Sequence, residues 1–163
     1  MITIEEIIDF AKDYVLRHGE HPPTLYAKGT MDKAVIPLDA FPTIQEKKVL
    51  FLAHAGKQLA QKGNIGTLTE VFFVSEAWIG IPKKDGSFIQ PSLDPERKEA
   101  LIISGLDVLE EKQSLAVLDI VRDSNGELRE LKESTFPQDG EVKSPLLPAF
   151  VLGHTFGTST KKG

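Results

Sequence analysis

The chain has 163 residues, of which 40% are hydrophobic and 26% charged, a composition typical of one globular domain. Its 19 basic and 24 acidic side chains give a formal charge of −5 without any cluster of Lys and Arg, so a nucleic-acid partner is not expected. There is no cysteine, which excludes disulfides, thiol nucleophiles and cysteine-based metal sites.

No stretch has the length and apolar character of a membrane span. The N-terminus carries Glu5, Glu6 and Asp9 and lacks the basic start of a signal peptide. Because the absence of cysteine is also compatible with a reducing compartment, these features predict a soluble, cytoplasmic protein without a membrane partner.

The first element is predicted to be a helix. Apolar residues recur every three to four positions over residues 4–15, Thr3 and Glu6 form a capping-box pattern, and Gly19 ends the segment. Short strand patterns over residues 24–28 and 33–36 then predict a small hairpin.

A second helix is predicted after Pro42. Thr43 and Glu46 repeat the capping-box pattern, and the small residues Ala53 and Gly56 would let this helix lie close to a sheet. Its one histidine, His54, lies opposite the apolar stripe and is predicted to be exposed.

From residue 67 onward the pattern changes to alternation with a period of two. β-branched and apolar residues predict four strands, of which the two whose residues are apolar on both faces should be central and the last, polar one should be an edge. The four predicted strands cover residues 67–79, 97–106, 114–122 and 128–133.

The turn at residues 123–126 (DSNG) is a strong hairpin signal with two competing registers. A two-residue loop would oppose Arg122 and Arg129, whereas a four-residue loop would oppose Val121 and Leu128. Because opposed like charges destabilise a sheet, we favour the four-residue loop.

These elements predict an α+β fold, with two N-terminal helices packed on one face of a mainly antiparallel sheet made of a four-strand meander plus a small hairpin. The alternative is a strongly curved or partly closed barrel. Residues 1–133 would form the single domain, and residues 134–163 a Pro- and Gly-rich tail whose apolar patch docks on the domain or on a partner. Residues 80–96 would form a long functional or mobile loop.

No phosphate-loop, dinucleotide, zinc-protease or serine-hydrolase motif is present, so no cofactor is expected. His18 and His21 are separated by a helix end and a Pro-Pro break. We therefore expect two solvated histidines there and no metal site.

Glu76 is the most informative single residue. By strand alternation it shares one side with Phe72, Val74 and Trp78, where a carboxylate is unfavourable unless it is paired or protonated. Desolvation would raise its pKa, as in a general base, although a salt-bridged or solvent-facing Glu explains the pattern equally well.

A capped turn at Asp94 delivers Arg97 and Lys98 to the start of the next strand. If that strand pairs antiparallel with residues 67–79, these charges approach Glu76 and Trp78. The five residues are our candidate ligand-binding cluster for a small acidic or polar molecule, and a salt-bridged hairpin base is the structural alternative.

The motif Val74-Ser75-Glu76-Ala77-Trp78, followed by residues 91–101 (PSLDPERKEAL), resembles a group of uncharacterised bacterial hypothetical proteins. The resemblance covers about a quarter of the chain and implies no activity, cofactor or site. It directs attention to the region between Glu76 and Glu99.

The leading hypothesis is a non-enzymatic binding or protein-interaction domain, whose partner is a protein or a small molecule. The apolar tail could bury against a second copy, so a homodimer is one predicted assembly. The rival hypothesis is a small hydrolase-like enzyme, with Glu76 as general base and Arg97 or Lys98 as its electrostatic partner.

Overall fold

A single six-stranded antiparallel sheet is the centre of the computed structural model, which describes residues 3–38, 41–79, 98–133 and 145–161. The strands are β1 (Thr24–Gly29), β2 (Lys33–Pro37), β3 (Leu68–Ile79), β4 (Lys98–Asp107), β5 (Lys112–Arg122) and β6 (Leu128–Glu133). Their spatial order is β2-β1-β3-β4-β5-β6. The helices are α1 (Ile4–His18), α2 (Gln45–Lys62) and α3 (Leu146–Lys161).

One face of the sheet is covered by α1. Because side chains alternate along a strand, every second residue of β3, β4 and β5 faces this helix. The core on this face consists of Ile7, Ala11, Val15, Phe72, Val74, Leu101, Ile103, Leu118 and Ile120.

The opposite face is covered by α2 and α3, which lie over β1, β3 and the end of β4. The buried residues of this second core are Leu25, Ala27, Leu38, Leu52, Ile65, Leu68, Val71, Phe73, Leu106, Leu147 and Phe150. Residues 71–74 are buried along their whole run, which is why the central strand is apolar on both sides.

The predicted fold class is wrong in its details, although an α+β architecture with an antiparallel sheet is present. The hairpin is not separate from the meander: β1 pairs with β3, with Leu25 opposite Phe73, so both belong to one sheet. Within the described residues, three helices cover both faces of the sheet, whereas the prediction had two helices on one face. The barrel alternative is also wrong, because the sheet is open with β2 and β6 at its edges.

Helix α3 occupies the segment predicted to be a tail. Pro148 lies in the first turn, where its missing N–H is tolerated because the first amides of a helix have no intrahelical partner. Gly153 and Gly157 lie inside the helix, where each is less favourable than alanine by about 1 kcal/mol. The proline and glycines of this segment therefore predict an interruption of helical structure, whereas tertiary packing stabilises a helix there.

The β5–β6 hairpin corrects the predicted register. Ile120 lies opposite Leu131, which is the strand register of the two-residue loop, so the favoured four-residue register is wrong. A bulge then places Arg122 opposite Leu128 instead of Arg129, and the unfavourable pair of like charges never forms.

Of the two predicted helix N-caps, the one at α1 is confirmed and the one at α2 is wrong. The hydroxyl of Thr3 accepts a hydrogen bond from the Glu6 amide at 3.3 Å, and Gly19 ends α1 with φ 81°. At α2 the predicted Thr43 cap is wrong, because Ile44 is the N-cap residue and no side chain caps the helix. Among the described residues, no helix combines the length and apolar character required to cross a bilayer.

The α2–α3 contact depends on glycine. A Cβ on Gly153 would overlap the backbone carbonyl of Ala53, and a Cβ on Gly56 would overlap that of Phe150. Farther along, a Cβ on Gly157 would meet Ala60. Because Gly153 meets Ala53 and Gly157, one turn farther on, meets Ala60, the two helices run in the same direction with their backbones in contact.

We predict that Gly153→Ala lowers the free energy of unfolding by about 2 kcal/mol, because the strain of an extra methyl outweighs the gain in helix propensity. Chemical denaturation measures this change. The matched control is Gly63→Ala, whose Cβ would lie at an ordinary 3.7 Å from the Leu59 carbonyl. If the two variants are equally stable, the close helix contact is not what glycine provides.

Candidate functional site

Glu76 lies on the α1 face of β3, as strand alternation predicts. It is opposite Leu101 of β4 and on the same side as Phe72 and Val74. Its Oε1 accepts a hydrogen bond from the backbone N–H of His21 at 2.9 Å. The carboxylate therefore holds the segment that leaves α1 against the sheet.

Burial raises the pKa of Glu76 above its ordinary value of 4.5. The His21 hydrogen bond lowers the pKa, the charge of Glu99 raises it, and Arg122 lowers it again. The net effect is a carboxyl group that ionises less readily than an exposed one.

His21 is buried, with 3% of its surface exposed, so the prediction of two solvated histidines is wrong. Its Nδ1 is 2.7 Å from the carbonyl oxygen of Pro22, which can only accept, so Nδ1 carries the proton. Nε2 is then the acceptor for the Tyr26 hydroxyl at 3.4 Å. Burial lowers the pKa of His21, which favours this neutral form.

Arg122 supplies the positive charge of this region. Its guanidinium donates to both carboxylate oxygens of Glu99, at 2.7 and 2.9 Å, and to the Gly19 carbonyl at 3.3 Å. A bidentate Arg–carboxylate pair fixes the planar guanidinium, so Arg122 is held against the C-terminus of α1. We call Glu76, His21, Tyr26, Glu99 and Arg122 the α1 anchor.

The structure does not bring Lys98 of the predicted cluster to Glu76. The ammonium group of Lys98 lies 3.9 Å from Asp119, and strand alternation places Lys98 on the sheet face opposite to Glu76. The backbone of Trp78 pairs with Glu99. Asp94 and Arg97, like the predicted loop over residues 80–96, lie outside the described residues.

A crevice of about 690 Å³ lies on the other face of the molecule. The β1–β2 turn, the loop after α2 and the C-terminal half of α3 form its walls. Its lining residues are Thr30, Met31, Ala60, Gly63, Asn64, Ile65, Gly66, Thr67, Leu68, Val108, Val151, His154, Thr155 and Thr158. None of these side chains is an acid or a strong base, and only His154 can acquire a charge, by protonation.

Backbone hydrogen bonds hold the loop wall in place. The amides of Thr30 and Met31 donate to the carbonyls of Thr67 and Ile65 at 3.0 and 2.9 Å, and the Thr67 amide donates to the Thr30 hydroxyl at 3.1 Å. Gly66 has φ 84°, and a Cβ there would overlap the Thr30 side chain. The crevice is thus preformed on this side.

His154 is the unusual residue of the crevice. Only 6% of its surface is exposed, and no hydrogen bond joins its ring to the part of the chain that the structure describes. Its ring nitrogens are not among the buried atoms that lack a partner, and the ring lines the crevice. Burial lowers the pKa of His154, which favours the neutral form of the ring. The ring can therefore bond water or a ligand in the crevice.

Local sequence patterns do not reveal this crevice. His154 lies between Gly153 and Gly157, in the segment that its composition predicts to be a tail. The other helical histidine, His54, is exposed as predicted. A period of three to four in residues 147, 150, 151 and 154 would have revealed the helix face.

Over residues 3–38, 41–79, 98–133 and 145–161, no group of three or more His, Asp or Glu side chains is arranged to hold a metal ion. Comparisons with protein-family models, curated proteins and solved structures find no match. Any assignment of function therefore rests on the geometry of the chain.

We predict opposite effects for two substitutions of Glu76. Gln keeps an oxygen acceptor for the His21 amide and removes a charge that the folded state disfavours, so Glu76→Gln raises the melting temperature at neutral pH. Ala leaves the amide unpaired, and Glu76→Ala lowers the free energy of unfolding by about 1–3 kcal/mol.

The pH dependence provides the control for this pair. A carboxyl whose folded pKa is raised contributes stability below its unfolded value, and this is lost as the pH rises through the folded pKa. The advantage of Glu76→Gln over the native protein should therefore disappear in acid. An advantage that is the same at every pH contradicts the charge argument.

We also predict that the protein loses stability as the pH falls below the ordinary histidine value of 6.5. His154 and His21 have lowered folded pKa values, so their contribution is present above 6.5 and is lost as the pH falls towards the folded values. The melting temperature of His154→Gln, measured by thermal unfolding across this range, should decline less steeply than that of the native protein. The melting temperature of the exposed control His54→Gln should follow that of the native protein.

Proposed function

We propose that this protein is a non-enzymatic binding domain, and that the crevice between α3, the β1–β2 turn and the loop over residues 63–67 takes a small molecule. This agrees with the leading hypothesis from the sequence but moves the site away from Glu76. The observation that carries the proposal is the largely buried ring of His154, which lines the crevice without a hydrogen bond to the described chain.

The size and shape of the crevice support this proposal. Small-molecule sites usually enclose about 300–1,000 Å³ and combine apolar walls with a few polar groups. The volume of about 690 Å³ lies in that range, and Ile65, Leu68, Val108 and Val151 supply apolar surface next to His154.

The position of His154 supports it as well. Its ring nitrogens are not among the buried atoms that lack a partner, and the ring lines the crevice, so they can bond a ligand without breaking a contact within the described chain.

The rival hypothesis, a hydrolase using Glu76, has less support. A raised pKa suits a general base, yet Glu76 already accepts the His21 amide, and His21, Tyr26, Glu99 and Arg122 are occupied with one another. Glu76 is also not among the residues that line the crevice. Anchoring α1 accounts for these contacts without a reaction.

Two expectations remain parts of this proposal. A cytoplasmic location is supported by the absence of cysteine. A second copy of the chain as partner is supported by the exposed Leu152 and Phe156, which lie one turn apart on α3.

The binding function is tested by nitrogen–proton NMR spectra recorded with indole, benzamide and 2-naphthol, each added separately. We expect at least one of them to shift the amide signals of residues 63–68 and 151–158. The Thr158→Trp variant, whose indole would fill the crevice, should abolish these shifts, whereas the exposed α2 control Gln58→Trp should retain them. No shifts with any of the three compounds, or shifts that persist in Thr158→Trp, would overturn the proposal.

A further inference from the structure

We infer that the ligand of the crevice is an uncharged molecule with an apolar body and a hydrogen-bond donor, and that the donor binds the ring of His154. This inference rests on the proposed binding function and names the chemical class of the ligand. Three independent features of the crevice support it.

The first feature is the absence of compensating charge. No Asp, Glu, Lys or Arg is among the described lining residues. A charged group that leaves water without an opposite charge meets a large desolvation penalty, so both anions and cations are disfavoured.

The second feature is the direction of the helices. Ala60 and Gly63 at the end of α2, and Thr158 near the end of α3, all line the crevice, so two helix C-terminal ends point towards it. Each such end carries about half a negative charge on its carbonyl groups. This potential repels anions and favours a group that donates a hydrogen bond. It attracts a cation as well, but a cation also loses its hydration, a penalty that an uncharged donor avoids.

The third feature is the set of hydrogen-bonding atoms. A neutral imidazole has one acceptor nitrogen and one N–H donor, and burial favours the neutral form of His154. The Thr158 hydroxyl donates its proton to the His154 carbonyl at 2.9 Å, which leaves its oxygen as a further acceptor. Two acceptors thus lie beside the carbonyl ends of two helices, and a hydroxyl or amide N–H on the ligand is complementary to this set.

The apolar part of the ligand follows from the walls. Ile65 and Leu68 are buried at 4% and 3% exposure, and Val108 and Val151 are partly buried. Together they form an apolar surface, which favours contact with hydrocarbon or an aromatic ring over contact with a fully polar molecule.

Four probes with a common naphthalene body test the inference: 2-naphthol (a donor), 2-methoxynaphthalene (no donor), 2-naphthoate (an anion) and 2-naphthylmethylammonium (a cation). Dissociation constants come from NMR titration of the amides of residues 63–68 near neutral pH. We expect 2-naphthol to bind most tightly, the methoxy compound about three- to tenfold more weakly, and both ions more than about tenfold more weakly. The ring nitrogen signals of His154 should shift only with 2-naphthol.

His154→Phe, which replaces the ring with an apolar one of similar size, should abolish the difference between 2-naphthol and 2-methoxynaphthalene. The matched control, His54→Phe on exposed α2, should preserve it. The His154 ring signals of the native protein give the same information if His154→Phe fails to fold.

The outcomes separate the two proposals. If an ion binds the crevice most tightly, the ligand class is overturned while the binding function stands. If the naphthol and the methoxy compound bind equally and leave the His154 ring signals unchanged, His154 is not the acceptor. If none of the four binds at the crevice, the proposed function fails together with the inference.

Discussion

Glycine at positions 56, 153 and 157 lets the backbones of α2 and α3 come into contact, and one whole face of the molecule depends on that contact. The pair buries Leu52, Leu147 and Phe150 against the sheet. It also brings the two helix C-terminal ends and His154 to the edge of the same cavity. The unfavourable helix propensity of glycine is offset by close packing, and the crevice is a consequence of that packing.

The polar side chains on the two faces of the sheet differ in their hydrogen bonding. On the α1 face, side chains from three strands hold residues 19–21: Glu76 binds the His21 amide, and Arg122 binds the Gly19 carbonyl with Glu99 behind it. Every polar group named there has a partner. On the α2–α3 face, the His154 ring has no hydrogen bond within the described chain and lines the crevice. A perturbed pKa occurs at both places, so it is the cavity beside an unbonded ring that distinguishes a candidate binding site from a structural network.

Local patterns predicted the parts of the fold that depend on local physics. The Asp123 side chain accepts hydrogen bonds from the amides of Asn125 and Glu127, so the turn forms at the predicted place. Its register was predicted wrongly because a bulge, which only the paired strand can reveal, removed the conflict between Arg122 and Arg129. The same applies to α2, which forms without the predicted Thr43 cap because Leu52 and Ala60 are buried on its inner face.

Residue spacing predicts the positions of the strands, the helices α1 and α2 and the face on which Glu76 lies, because periods of two and of three to four are properties of the backbone. Residue spacing does not reveal that α3 exists, that helices cover both faces, that Arg122 and not Lys98 approaches Glu76, or that His154 is buried. Each of these depends on contacts between residues far apart in the chain. A glycine that permits a close helix contact has the same sequence signature as one that ends a helix, and packing alone distinguishes them.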